Sequence, residues 1–309
     1  MKRAFVSLLV KILRRYLKVN KLVLLGAALM LSACTKKAEP PAVGEAASAS
    51  AAAVAVEVKP MVDPKTARMM ELLQVAYGDK AAHENYLDVE LPDVEKRDEL
   101  GLYRLEPVAM RELPDGRVVV VANAQMVDAN GEAMVAHVTT GLLNVYILRK
   151  EAGQWKVEAR HENVASLGSS ATFDEVEWVT LGEGKPGFIV HHGGIWQGYS
   201  ISLIAVFDLA DGKLHDLAHD MSLSSENEGA CGPETAHCWS VEGKWQFEKR
   251  EGAAYDDLVL RFTGYDEERP ETAPDSEERK RKEVKGMARY KFDGGRYVLI
   301  EGENIVPGV

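Results

Sequence analysis

From residue 103 onward, apolar and polar positions alternate with a period of two, and Gly-containing breaks separate the alternating runs. That period puts successive side chains on opposite faces of a strand. The breaks carry Asp115-Gly116, Asn130-Gly131, Gly153 and Asp211-Gly212. Asp-Gly and Asn-Gly between such runs predict type I′ hairpin turns. The runs amount to about twelve strands joined as hairpins, which predicts antiparallel meander sheets. They group near 103–163, 172–220 and 243–304, about four strands each, which is the arithmetic of propeller blades. Three units are too few for an ordinary closed propeller, so an open stack of meanders or a sandwich fits equally well. "NVYILRKEAGQWKVEARHEN" and "ARYKFDGGRYVLIEGEN" share an aromatic, a Gly-centred turn and a second aromatic. Shared hairpin chemistry accounts for this likeness as well as true repetition does.

One segment departs from the strand pattern. "DPKTARMMELLQVAYG", residues 63–78, has Asp63 at an N-cap position, Pro64 at the first helical position and Gly78 at the end. Met69, Leu72, Leu73 and Ala76 fall on one helical face. The expected fold is therefore mainly β: antiparallel meander sheets, propeller-like or a sandwich, with one N-terminal helix. Residues 62–309 form the globular domain. Within it, the charged, Pro-containing stretch 266–286 predicts a mobile surface loop. Arg279 to Lys282 would form a basic handle there.

The N-terminus follows different rules. Residues 1–21 carry seven basic residues and no acid, and an apolar run from Leu22 to Leu31 follows. A bilayer span needs about 20 apolar residues, so this run reads as a signal-peptide core instead. Leu31-Ser32-Ala33-Cys34 resembles the lipobox of bacterial lipoproteins. The resemblance implies cleavage after residue 33 and lipidation of Cys34. Thr35 stands where an Asp would imply retention at the inner membrane, so it implies the outer membrane, with the domain facing the periplasm or the exterior. Each acyl methylene adds roughly 0.8 kcal/mol of membrane affinity, so two or three chains hold firmly. Residues 34–61 are rich in Ala, Pro and Ser and cannot bury a core; they read as a flexible tether.

Cleavage also changes the charge. Losing seven bases and no acid takes the net charge from −11 to −18. So acidic a chain repels phosphate backbones, which excludes nucleic acid as a partner. The partners left are the membrane, through the lipid on Cys34, and an envelope protein or glycan. In an oxidising compartment Cys231 and Cys238 of "CGPETAHCW" predict a disulfide. A metal held by His215, His219 and His237 is the competing reading of that region.

No fingerprint of catalysis or of a cofactor is present: no G-x-S-x-G, no H-E-x-x-H, no P-loop and no dinucleotide motif. The sequence therefore assigns no catalytic residue, no metal ligand and no cofactor. "HHGGIWQGYS", residues 191–200, is the candidate ligand-binding stretch. Its glycines permit close backbone approach, and its aromatics offer an apolar wall with polar tips. His191, His192, Trp196, Gln197 and Tyr199 are the candidate binding residues. On a strand the two histidines point to opposite faces, so one of them at most serves the site. The first functional expectation is a non-enzymatic binding or assembly module. The second is an envelope hydrolase for glycan or peptide, which would need a histidine and an acid such as Asp174 or Glu175 to meet near Trp196.

Overall fold

The helix forms where its start and stop signals stand. In the computed structural model, which describes residues 63–309 except 80, 81, 271 and 276, helix α1 spans Pro64–Tyr77. The signal segment, Cys34 and the tether lie outside the described residues. The Asp63 carboxylate accepts from Thr66 N at 3.0 Å, and Gly78 ends the helix at φ +78°. Met69, Met70, Leu72 and Leu73 form its buried face. They pack on Leu87, Leu91, Leu105 and Tyr146 of the first sheet.

That sheet contains β1 (Leu87–Pro92), β2 (Leu100–Glu112), β3 (Val118–Met126), β4 (Gly141–Glu151) and β5 (Gln154–Leu167), in that spatial order. It curls into a half-barrel, and Asn163 Nδ2 on β5 donates to Pro92 O at the end of β1, at 2.9 Å. The second sheet contains β6 (Val176–Thr180), β7 (Pro186–Trp196), β8 (Tyr199–Asp208) and β9 (His215–Glu226). It continues with β10 (His237–Glu248), β11 (Asp257–Glu268), β12 (Lys280–Phe292) and β13 (Tyr297–Gly302). Every ladder is antiparallel and joins sequence neighbours. The expected mainly-β meander architecture is thus observed.

The layers explain why several strands read as unbroken apolar runs. On β3, Val118 and Val120 face the helix side, while Val119 and Val121 face the second sheet. On β8, Ala205 and Phe207 meet the first sheet, while Ile204 and Val206 turn to a third core shared with β11 and β12. A strand buried on both faces has no polar side to show. The third core exists because the second sheet folds back on itself. β9 and β10 pair over only Ser224–Glu226 and Ser240–Glu242, and Tyr255 Oη then bonds Asp208 Oδ2 across the fold at 2.6 Å.

Buried asparagines repair the ladder where β4 and β5 slip register between Leu143 and Val145. Asn144 Nδ2 donates to Leu142 O and to Asn163 Oδ1, while Asn144 Oδ1 accepts from Asn163 N at 2.9 Å. Asn123 bonds Ala171 O and Leu142 N in the same way.

Three expectations need correction. The turns at Asp115-Gly116, Asn130-Gly131 and Asp211-Gly212 are not type I′, because only the glycine has positive φ. The first two are three-residue loops with glycine in the left-handed position, the third lies in the longer connection between Asp208 and His215, and in each an Asp side chain accepts a nearby backbone N–H. The two positive angles of a type I′ turn occur instead at Ala152-Gly153 and Gln197-Gly198. The stretch 266–286 is strand at both ends, and the connection between the strands is confined to 269–279. β11 runs on to Glu268 and β12 begins at Lys280, because Asp266↔Lys282, Glu267↔Arg281 and Glu268↔Lys280 set acids opposite bases. Nor is Arg279 a free handle, since it donates to Gly232 O and Thr235 O, both at 3.0 Å. Those carbonyls belong to the loop closed by the Cys231–Cys238 disulfide, whose Cα atoms are 5.8 Å apart.

Candidate ligand-binding site

Strand β7 outruns its neighbour β6. The β6 ladder ends at Val176↔Val190, and His191 N then donates to Glu175 O at 2.8 Å. Beyond that point Gly193 and Gly194 have β8 on one side only. Residues from the approach to β4 (His137, Val138, Thr140) and from the end of β5 (Ser166, Gly168, Ser169) stand on the other side. Between them lies a cleft of about 650 Å³, within the usual size of small-ligand sites. Gly193 has φ +159°, and a Cβ there would overlap Ile201 O, so the backbones meet only because this residue is glycine.

His192 forms the inner polar point of the cleft and is 2% exposed. Gly168 N–H donates to its Nδ1 at 3.4 Å. Nδ1 is therefore the bare nitrogen and Nε2 carries the proton. Nε2 has no hydrogen-bond partner. It points toward Asp220 Oδ1 at 3.5 Å, beyond the normal N–H···O range. Burial pushes the His192 pKa down to about 4; Asp220 works against that shift, and His219 and His191 add to it. The ring is neutral at pH 7.

Asp220 reaches the cleft through a bulge. Ile204↔Met221 is followed by Val206↔Ala218, so His219 and Asp220 together oppose Ala205. Asp220 takes φ +50°, and the extra residue re-aims its side chain. Trp196 and Gln197 line the mouth, with Ile201 and Leu203 as apolar wall. Trp196 is 37% exposed, whereas Trp155, Trp178, Trp239 and Trp245 are partly or fully buried against the cores or Tyr199. No Lys or Arg lines the cleft among the described residues.

Of the five sequence candidates, His192, Trp196 and Gln197 meet here. His191 points to the other face and approaches Glu177 Oε2 at 3.4 Å. Tyr199 packs on Trp239, ring centroids 5.8 Å apart, away from the cleft. Asp174 and Glu175 hold the β6 approach through their backbones, and the acid beside the histidine is Asp220. Asp220, Val138 and the Ser166–Ser169 segment were not visible as site residues. The only hint of the last was the Gly-Ser-Ser run at 168–170.

The competing metal reading does not assemble. His215 pairs with Asp211, His219 with Asp216, and His237 with Asp266. His237, Asp266 and Glu268 do cluster, their ligand atoms within 4.8 Å of one another. They are exposed or half-buried, and His237 already bonds Asp266 at 2.6 Å. Comparison with known proteins brings no match to this chain: no family model, no curated protein and no solved structure.

Proposed function

We propose that this chain is a bacterial envelope lipoprotein, held at the outer membrane by acyl chains on Cys34, whose β body is a non-enzymatic binding module. The tether, the acidic surface and the Cys231–Cys238 disulfide support an extracytoplasmic setting. Among the described residues no helix is long and apolar enough to cross a membrane. The observation that carries the binding reading is His192: a buried ring in the cleft wall whose Nε2–H lacks a hydrogen-bond partner and lies 3.5 Å from the half-exposed Asp220. A buried donor left unmet costs about 1–3 kcal/mol, and a ligand acceptor relieves that cost.

The hydrolase reading draws on the same His192–Asp220 pair. His192 cannot serve it as the base, because Nδ1 is engaged by Gly168 and Nε2 already holds its proton. No serine hydroxyl bonds His192 among the described residues.

Two measurements test the proposal. Cys34→Ser is expected to release the exported protein from the membrane fraction; continued membrane attachment would refute the anchor. A photo-crosslinker at Val138, which is 88% exposed at the cleft, is expected to capture an occupant in intact cells. Capture of nothing, or turnover of envelope glycan or peptide by the purified protein, would overturn the non-enzymatic binding role.

A further inference from the structure

The geometry points to a neutral glycan as the occupant: a pyranose ring with one hydroxyl between His192 and Asp220 and its C–H face on Trp196. This rests on the reading of the cleft as a binding site and names its ligand class.

The notch makes two demands at once. His192 Nε2–H needs an acceptor and the Asp220 carboxylate needs a donor, and the two atoms stand 3.5 Å apart. Nε2 itself has almost no exposed surface, so the half-exposed Asp220 side chain must swing aside to admit a ligand, and an oxygen about 2.8 Å from each then satisfies both. A hydroxyl does so with a single atom, accepting from Nε2–H and giving its own proton to Asp220. An ammonium or quaternary amine carries no acceptor and leaves Nε2–H unmet. A carboxylate or phosphate carries no donor and meets Asp220 charge against charge, with no Lys or Arg lining the cleft to offset it. A trans peptide unit holds both functions but aims them in opposite directions, so one amide cannot serve two atoms this close together.

The rest of the cleft suits a sugar ring. Trp196 lies against Gly194, its Cζ3 only 3.0 Å from where a Cβ would stand. The glycine gives the indole a flat bed while the residue stays partly exposed. Ile201 and Leu203 offer apolar contact to ring C–H groups. Gln197, Thr140 and Ser166 offer mixed donors and acceptors for the other hydroxyls. The volume accommodates a short oligosaccharide.

The test uses the purified full chain in detergent micelles, titrated calorimetrically and by tryptophan fluorescence. The probes are neutral trisaccharides of glucose, N-acetylglucosamine, galactose and mannose, with choline, glucuronate and a capped trialanine as comparators. Saturable binding of at least one neutral saccharide is expected, with affinity changed less than about twofold by added salt because no net charge is involved. Trp196→Ala and Asp220→Asn should each weaken it about tenfold. Trp196→Phe, which keeps an aromatic face, should retain most of it. The Asp220 side chain is 56% exposed, so its substitution leaves the core intact, and a matching thermal midpoint verifies this. Saccharide binding that ignores both substitutions puts the sugar elsewhere and overturns the inference. Binding of a comparator but no saccharide overturns the glycan class while the cleft stands. So does silence from every probe when the Val138 crosslink still captures an occupant. Loss of that crosslink defeats the underlying binding role instead.

Discussion

The buried asparagines of the first sheet and the buried histidine of the second occupy similar ground and are treated differently. Asn123, Asn144, Asn163 and His192 are each at most 2% exposed, and all sit close to ladder irregularities. The asparagines answer one another: Asn144 and Asn163 exchange side-chain and backbone hydrogen bonds, and Asn123 ties two neighbouring segments. His192 is anchored on one nitrogen and open on the other. A closed polar network fixes a structure, whereas one left unmet on a single side, just beneath a cleft wall, can take a partner that arrives later.

Breaking the closed network should have the largest effect. Asn144→Leu leaves Asn163 N–H, Asn163 Oδ1 and Leu142 O short of partners, and is expected to cost roughly 4 kcal/mol in denaturant unfolding. A cost under about 1 kcal/mol would show that the asparagines are dispensable. Acid should act next, and the part that His192 contributes can be isolated. His192 has a pKa lowered from 6.5 to about 4 on folding, so the unfolded chain binds the proton first. The stability this group contributes is whole above pH 6.5 and is lost as pH falls toward 4, on the order of 3 kcal/mol. The measurement is the difference in unfolding free energy between wild type and His192→Phe across that window, which cancels the carboxylates. A constant difference would mean that His192 takes up its proton freely in the folded state. The smallest effect has the opposite sign. At pH 7, His192→Phe should stabilise the fold by about 1 kcal/mol, since it removes an unmet donor, while glycan binding is lost. Destabilisation would show that the long Gly168 hydrogen bond matters more than the orphaned nitrogen.

Local signals were legible and long-range ones were not. Helix α1 could be read because Asp63, Pro64 and Gly78 act within a few residues of themselves. The alternating runs predicted the meanders, and the grouping into fours matches β2–β5, β6–β9 and β10–β13. Turn type was misread because Asp-Gly serves both two- and three-residue loops. The two ends of the charged stretch 266–286 escape a sequence reading because their acids and bases cancel only when the strands pair, while its middle, 269–279, is the connection. At the site, His192, Trp196 and Gln197 stood out for their glycine neighbours. His191 and Tyr199 shared the motif but face elsewhere. Asp220 gave no sign at all: its bulge contains no glycine, and its distance from His192 depends on the register of β8 against β9.

The unbroken next-neighbour order of both sheets bears on how the chain reaches this state. Each ladder closes between segments adjacent in sequence, so pairing can spread by local zippering, without the entropic delay of distant strands finding each other. Only the stacking of the three meanders has to wait for remote contacts. For the exported, lipid-anchored chain proposed above, that topology lets every strand meet its partner as soon as the next segment emerges.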